Sequence, residues 1–331
     1  MKYYDIRSRA GKLRPVSIMI GGRGIGKTYS ALSYLLETGK PFLYLRNTDT
    51  QMKESASRFG NPFKRVGQDQ GRDIRLEAEG KHYIIKEYKE DGAELLGYGA
   101  ALSTFSNLRG VDLSDIEYVI FDEFIERRKL TFKQYDAFMG MYETVNRNRE
   151  QQGRPALVCI LLSNSQTLQN PIIQGLGITE NIIRMIQRGD HTMITKDLYL
   201  ELPTAEISKE KAESSIYRLA AGSGVAREAL ENEFVYDSFK NVGVRPLREY
   251  APVCTAWTAA GACVTFYRHK SRAEYYASDV PSWSAPVYDK ESYINFLRER
   301  GLQIQAAAIR QQVYFSNYTI KAAAEELLKL T

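Results

Sequence analysis

The sequence is poor in residues that bind transition metals or form disulfides. Its 331 residues include only three cysteines and three histidines, which lie far apart and form no C-x-x-C pair. Neither a disulfide framework nor a zinc site is therefore supported. No apolar run approaches the roughly 18 residues that a transmembrane helix requires, and the N-terminal stretch has no signal-peptide core. We expect no membrane contact and a cytoplasmic location.

The composition is that of a globular protein with a sizeable core. Hydrophobic residues make up 44% and charged residues 26%, and the net charge is +5. These values exclude disorder for most of the chain. The length suggests about two domains. The basic balance permits an anionic partner but does not require one.

Strand and helix patterns alternate along the first half of the chain. Apolar runs typical of buried strands cover 14–20, 41–46, 117–121 and 156–162, and a β-meander is expected within 72–105. Helical spacing covers 28–38 and 131–149. This alternation predicts an α/β domain with a mainly parallel sheet. A polar, helix-rich stretch follows, then strands at 252–259, 262–269 and 270–278 and helices at 291–298 and 319–330.

A phosphate-binding pattern follows the first predicted strand and opens the first predicted helix. Residues 21–28 fit G-x-x-x-x-G-K-[ST] at every position. Glycines allow the backbone N–H groups to surround phosphates, the lysine reaches the β- and γ-phosphates, and the hydroxyl binds Mg²⁺. The predicted nucleotide-binding residues are Gly21, Gly22, Arg23, Gly24, Ile25, Gly26, Lys27, Thr28 and Tyr29.

Two adjacent carboxylates end the strand at 117–121. Asp122 is expected to hold the metal together with Thr28, and Glu123 to activate the attacking water. Asn164 follows the strand at 156–162, where its amide could sense the γ-phosphate. A simple cap between strand and loop explains Asn164 equally well.

Two basic stretches follow the acidic pair. Arg147 and Arg149 end the helix at 131–149, and either could act in catalysis on a neighbouring subunit, with Arg147 favoured. The alternative is that these cations only complement the helix C-terminus. Arg127, Arg128 and Lys129 form a basic loop that could contact a DNA backbone or be an ordinary solvated turn.

These motifs together resemble the DNA-packaging ATPases of small tailed phages of the phi29 type. The matching stretches are IGGRGIGKTYS, PFLYLR, VIFDEFIERRK, TVNRNRE and CILLSNSQTLQNP, within residues 14–173. The family is grouped with additional-strand P-loop ATPases near the FtsK and HerA translocases. By position, Lys27, Thr28, Asp122 and Glu123 match its catalytic residues, Arg147 its trans-acting arginine finger, and Arg128 lies in its DNA-gripping loop.

The resemblance also implies partners, cofactors and a place of action. It implies a homo-oligomeric ring, usually a pentamer, that uses ATP and Mg²⁺ to pump double-stranded DNA into an empty prohead. It further implies a packaging RNA and a transient position on the portal vertex in the host cytoplasm. One departure is the sequence 47–49 after the second strand, where relatives carry more positive charge.

The change in sequence character after about residue 200, together with the resemblance, divides the chain into three expected segments. They are an ATPase domain at 1–200, a helical linker at 201–235, and an RNase H-like domain at 236–331. Because the first two strands of the last segment carry no acidic residue, we expect a vestigial nuclease that binds nucleic acid or the prohead. Arg268, Lys270 and Arg272 among aromatic residues suit phosphate contact, although an ordinary solvated strand explains them as well.

The function predicted from these features is ATP-driven translocation of double-stranded DNA for genome packaging. Two alternatives remain open at this stage. One is a P-loop kinase of small molecules, which would not respond to DNA. The other is a nucleotide-binding assembly module without hydrolysis, which would be indifferent to loss of the Glu123 carboxylate.

Overall fold

The chain is divided into two compact units. The computed structural model describes residues 3–80, 82–108, 112–126, 130, 132–220, 223–231, 234, 237, 240–259 and 261–330. The first unit contains 1–176 and 184–237, and the second contains 177–183 and 238–331. Among the described residues, no helix combines the length and apolar character needed to cross a bilayer.

A nine-stranded sheet forms the centre of the first unit. Its strands are β1 Val16–Gly21, β2 Phe42–Arg46, β3 Asp73–Glu79, β4 His82–Lys89, β5 Gly92–Ala101, β6 Tyr118–Asp122, β7 Val158–Asn164, β8 Thr192–Ile194 and β9 Leu198–Glu201. Their order is β3-β4-β5-β2-β6-β7-β1-β9-β8. The six from β5 to β9 in this order are parallel, and β3, β4 and β8 are antiparallel to their neighbours. The predicted α/β fold with a mainly parallel sheet is confirmed.

Strand β7 lies between β1 and β6. This inserted strand separates the phosphate-loop strand from the strand that ends in the two carboxylates, as expected for an additional-strand ATPase. In the parallel register, Gly21 is opposite Asn164, and Asp122 is opposite Leu162. The carboxyl ends of β1, β2, β6 and β7 therefore meet at one edge of the sheet, which is where open parallel sheets bind ligands.

The helices of the chain up to residue 231 were only partly predicted. They are α1 Lys27–Thr38, α2 Asp49–Ser55, α3 Phe63–Gln70, α4 Gln134–Asn146, α5 Pro171–Gly175, α6 Thr179–Arg188, α7 Ile207–Ala212, α8 Ser215–Leu219 and α9 Gly224–Glu231. Helix α1 begins after Gly26 and ends before Gly39, both in the left-handed region. Helix α4 ends at Asn146, three residues earlier than predicted, because Arg147 adopts a positive φ of 43°.

A five-stranded sheet forms the second unit. Its elements are β10 Tyr250–Trp257, β11 Cys263–His269, β12 Tyr275–Ser278, β13 Val287–Tyr288, α10 Tyr293–Phe296, a π-helix Leu297–Gly301, α11 Leu302–Ile309, β14 Val313–Phe315 and α12 Tyr318–Leu328. The order is β13-β10-β11-β12-β14, with β10, β11 and β12 antiparallel and the outer strands parallel to their neighbours. The apolar side of α12 packs on this sheet. The RNase H-like assignment stays a prediction, and neither β13 nor β14 was predicted from the sequence.

Candidate functional site

The phosphate loop is built by backbone conformations that favour glycine. Gly24 and Gly26 have φ angles of 70° and 98°, which side chains with a Cβ rarely adopt. Gly22 is needed for a second reason, since a Cβ there would lie 2.5 Å from the carbonyl oxygen of Ala229 in α9. Ile25 is buried, and its carbonyl accepts a hydrogen bond from the backbone N–H of Tyr4. The loop is thus fixed in shape before any phosphate arrives.

Lys27 lies buried beneath this loop. Its ammonium donates to the carbonyls of Gly21 and Gly22 at 2.9 and 2.7 Å and to the side-chain oxygen of Asn164 at 3.2 Å. Burial lowers the pKa of Lys27 to about 8, while Asp122 and Glu123 act in the opposite direction. The lysine is therefore a cation that an arriving phosphate would stabilise.

The side chains of Thr28 and Asp122 are joined by a hydrogen bond. The Thr28 hydroxyl donates to Asp122 Oδ1 at 2.8 Å, and Arg46 Nη1 donates to Asp122 Oδ2 at 3.1 Å. Burial raises the pKa of the Asp122 carboxyl, although the Arg46 guanidinium and the Thr28 hydroxyl favour its charged form. A hydroxyl beside a carboxylate is the donor set that Mg²⁺ prefers.

Glu123 lies beside Asp122 but in a different environment. Its side chain is 55% exposed, and its carboxylate accepts from Arg46 Nη2 at 2.6 Å. Its backbone has a φ of 54°, which turns the chain sharply at the end of β6. Arg46 thus binds both carboxylates of the pair from β2, the neighbouring strand. Its position at the end of the predicted strand 41–46 is only a weak sequence signal for this role.

Three buried amide side chains support the turn after Glu123. Asn47 Nδ2 donates to the Glu123 carbonyl at 2.9 Å, and Gln134 Nε2 donates to Asn47 Oδ1 and the Phe124 carbonyl, both at 2.6 Å. Asn170 Nδ2 donates to Gln134 Oε1 at 2.9 Å. We call Asn47, Gln134 and Asn170 the amide cluster. No sequence spacing pointed to it, although Asn47 follows β2 at the same edge.

The helical segment 203–231 covers the other side of the phosphate loop. A Cβ at Gly21 would lie 2.8 Å from Pro203, and one at Gly24 would lie 3.0 Å from the ammonium of Lys211. Lys211 also donates to the carbonyl of Arg23. This segment lies within the helical linker expected at 201–235, and no sequence pattern predicts its contact with the loop.

The remaining predicted residues occupy distinct places. The Tyr29 hydroxyl donates to Asp69 Oδ2 of α3 at 2.9 Å. Arg147 is exposed and pairs with Asp112 at 3.0 Å, whereas Arg149 is buried and donates to the Ser114 carbonyl. Burial lowers the pKa of Arg149. The candidate DNA-contact residues lie outside the described part of the chain; they are Arg127, Arg128 and Lys129.

The geometry fits a magnesium nucleotide. The loop has glycines at its left-handed positions, a buried lysine below it, and a hydroxyl–carboxylate pair at the same sheet edge. Lys27 and the loop backbone would hold the phosphates, and Thr28 and Asp122 would hold the metal. Glu123, with its exposed carboxylate, has access to water beside them.

Sequence comparison connects this site with known proteins. A model of the family "Podovirus DNA encapsidation protein (Gp16)" matches residues 1–251. The DNA packaging proteins of Bacillus phages PZA and phi29 are each 26% identical over 244 residues, which cover 71% of this chain and 67% of theirs.

Structural comparison extends the likeness to nearly the whole chain. A chain of the bacteriophage phi29 genome packaging motor assembly matches with a TM-score of 0.66 and 20% identity, covering 99% of this chain and 98% of that one. A chain of the phi28 gp11 DNA packaging motor matches with a TM-score of 0.60 and 16% identity over the same shares. At these identities the likeness establishes the fold.

Proposed function

The chain belongs to the podovirus DNA encapsidation protein (Gp16) family, and from this we propose that it is an ATP-driven motor that packages a phage genome. In this proposal it hydrolyses ATP, moves double-stranded DNA into a prohead, and acts as a homomeric ring. The observation that carries the ATPase part is the convergence of Lys27, Thr28, Asp122 and Glu123 at one sheet edge.

The substrate would be held by groups that are already in position. The ammonium of Lys27 would exchange its carbonyl contacts for the β- and γ-phosphate oxygens of ATP. Thr28 and Asp122 would bind Mg²⁺, which neutralises developing charge on the phosphates. Asn164, whose side-chain oxygen accepts a hydrogen bond from Lys27, would sense a change at the γ-phosphate.

Hydrolysis requires a base for the attacking water, and Glu123 is the residue proposed for it. Its carboxylate is exposed and adjacent to the proposed metal site, and it would accept the proton of that water. In this structure Arg46 binds the same carboxylate. That ion pair would have to loosen for Glu123 to reach the water, so Arg46 is proposed to restrain the base.

Arg147 is the residue proposed to act on a neighbouring subunit. It is exposed on a left-handed turn at the end of α4, where a partner could reach its guanidinium. A planar, permanently charged group stabilises the transferring phosphoryl oxygens. The ring, commonly a pentamer in this family, would bring each Arg147 to the next site. Arg149 is proposed to be structural because it is buried.

DNA and the prohead portal are the proposed partners, together with a packaging RNA. The proposed place of action is the host cytoplasm and, transiently, the portal vertex. Contacts to DNA should be made to phosphates, because packaging has to ignore sequence. Arg127, Arg128 and Lys129, in the loop after Glu123, are the proposed DNA-contact residues, a role that would couple hydrolysis to DNA movement.

The test is steady-state ATP hydrolysis by the full chain with and without double-stranded DNA, at about 50 and 200 mM salt. We expect DNA to stimulate turnover and salt to reduce that stimulation steeply, since binding through several phosphates releases counterions. Lys27→Ala should abolish turnover under all conditions. A rate of ATP hydrolysis that is the same with and without DNA at both salt concentrations would contradict the motor. It would favour the alternative of a small-molecule kinase.

A further inference from the structure

Two lysines from different helices, Lys27 and Lys211, contact the phosphate loop. Lys27 approaches from below within the first helix, and Lys211 approaches from α7 in the segment 203–231. Lys211 donates to the carbonyl of Arg23, and a Cβ at Gly24 would lie 3.0 Å from its ammonium. Three cationic residues therefore belong to or contact one short loop.

The charge balance of the two lysines differs. Lys27 is under the influence of the carboxylates of Asp122, Glu123 and Glu228. Among the ion pairs of the described residues, none joins Lys211 or Arg23 to a carboxylate. The half-burial of Lys211 and the neighbouring Arg23 both lower the pKa of its ammonium. The centre of the Tyr217 ring also lies 5.6 Å from this ammonium.

A half-buried cation without an acid is costly unless an anion arrives to compensate it. The carbonyl that Lys211 contacts belongs to the loop whose backbone surrounds the β- and γ-phosphates in P-loop enzymes. The segment that carries Lys211 is fixed against this loop, because Pro203 and Ala229 contact its glycines closely. The ammonium is therefore held beside the place where phosphates bind.

We propose that Lys211 is a second phosphate-binding cation, which contacts the triphosphate of the bound nucleotide from the segment 203–231. This inference rests on the proposed ATP binding. It gives the segment a direct part in nucleotide recognition. It also predicts that Lys211 contributes more to the affinity for ATP than to the affinity for ADP, because the triphosphate carries more negative charge than the diphosphate.

The test is equilibrium binding of ATP and ADP to the full chain in the presence of Mg²⁺, for wild type and Lys211→Gln. A charge-assisted hydrogen bond predicts a loss of about tenfold in ATP affinity, with a smaller loss for ADP. Lys211→Arg should restore most of the affinity. Lys209→Gln, an exposed position on the same helix with the same change of charge, should bind as wild type does.

Two results would overturn the inference while leaving the proposed function intact. One is ATP and ADP affinities of Lys211→Gln equal to those of wild type. The other is an equal loss for both nucleotides with a lowered melting temperature, which is the signature of a packing role. If wild type itself bound no ATP, the proposed function would fail and this inference with it.

Discussion

The two sheets of this chain each bury a carboxylate, but they surround it differently. Asp122 at the end of β6 is joined by the Thr28 hydroxyl and by one nitrogen of Arg46, beside the exposed carboxylate of Glu123. Glu274, which precedes β12, accepts from Arg245 at 2.9 Å and from Tyr250 at 2.8 Å. Burial alone therefore does not identify a functional acid.

Strand direction explains much of the difference. In the first unit, parallel strands bring the polar residues at or just after the carboxyl ends of β1, β6 and β7 to one edge. In the second unit, β10, β11 and β12 are antiparallel, so their ends alternate between opposite edges. Glu274 also pairs with Arg272 at 3.2 Å, and its contacts hold neighbouring segments together.

The largest expected difference is between variants in which Glu123 or Glu274 is replaced by glutamine. Glu123→Gln should reduce kcat for ATP hydrolysis by about 1,000-fold, because a general base contributes 10²–10⁴-fold, while ATP binding persists. Glu274→Gln should leave kcat within about twofold and lower the melting temperature instead. Hydrolysis assays and thermal melts of both variants provide the comparison. Equal losses of kcat would remove the distinction between the two acids.

The next comparison concerns the contributions of Arg147 and Arg149 to stability. Arg149→Ala should lower the free energy of unfolding by about 3 kcal/mol, because a buried side chain and its bond to Ser114 are lost. Arg147→Ala should stay within about 0.5 kcal/mol of wild type, because its side chain is exposed. Urea denaturation measures both values. A larger loss of unfolding free energy in Arg147→Ala than in Arg149→Ala would assign the structural role to Arg147.

The amide cluster offers an intermediate effect within the first unit. Gln134→Leu should cost about 2 kcal/mol of stability, because the buried Asn47 and Asn170 side chains would lose partners. It should also lower kcat, since Asn47 holds the backbone of Glu123. Glu143→Leu, on the exposed side of the same helix, is the control. Unchanged kcat in Gln134→Leu would limit the cluster to a structural role.

The smallest expected effect is a dependence of ATP affinity on pH. Because burial lowers the pKa of Lys27 to about 8, its ammonium is charged at pH 7 and loses its proton as the pH rises. Phosphate binds the charged form, so ATP affinity should fall by about tenfold between pH 7 and 9. In Lys27→Met the remaining affinity should not change across this interval. A flat profile for wild type would exclude titration of Lys27 there.

The sequence predicted the α/β fold and the phosphate loop because both have strong local signatures. Spacing fixes G-x-x-x-x-G-K-T, and apolar strands alternating with helices imply parallel pairing. Among the short elements, it did not predict the helices α2 and α3 or the strands β8, β9, β13 and β14. Helices α2 and α3 have seven and eight residues, and the four strands have two to four residues each, so their periodicity is weak.

Contacts between residues that are far apart in the sequence could not be predicted from local sequence patterns. Arg46 meets the acidic pair only because β2 and β6 are neighbours, and Lys211 meets Arg23 across 188 positions. The sequence likewise left Arg147 and Arg149 as alternatives. Their environments differ because a left-handed turn at Arg147 ends α4 and places Arg149 in the interior.

The most direct test of the ring motor mixes two inactive variants. Arg147→Ala and Glu123→Gln should each hydrolyse ATP very slowly alone in the presence of double-stranded DNA. In a mixture, an Arg147→Ala subunit keeps Glu123 and can receive Arg147 from a Glu123→Gln neighbour, which completes one site. A ring with a trans-acting Arg147 should show partial recovery of DNA-stimulated turnover that depends on the mixing ratio. A mixture as inactive as its components, or an Arg147→Ala protein as active as wild type, would contradict it.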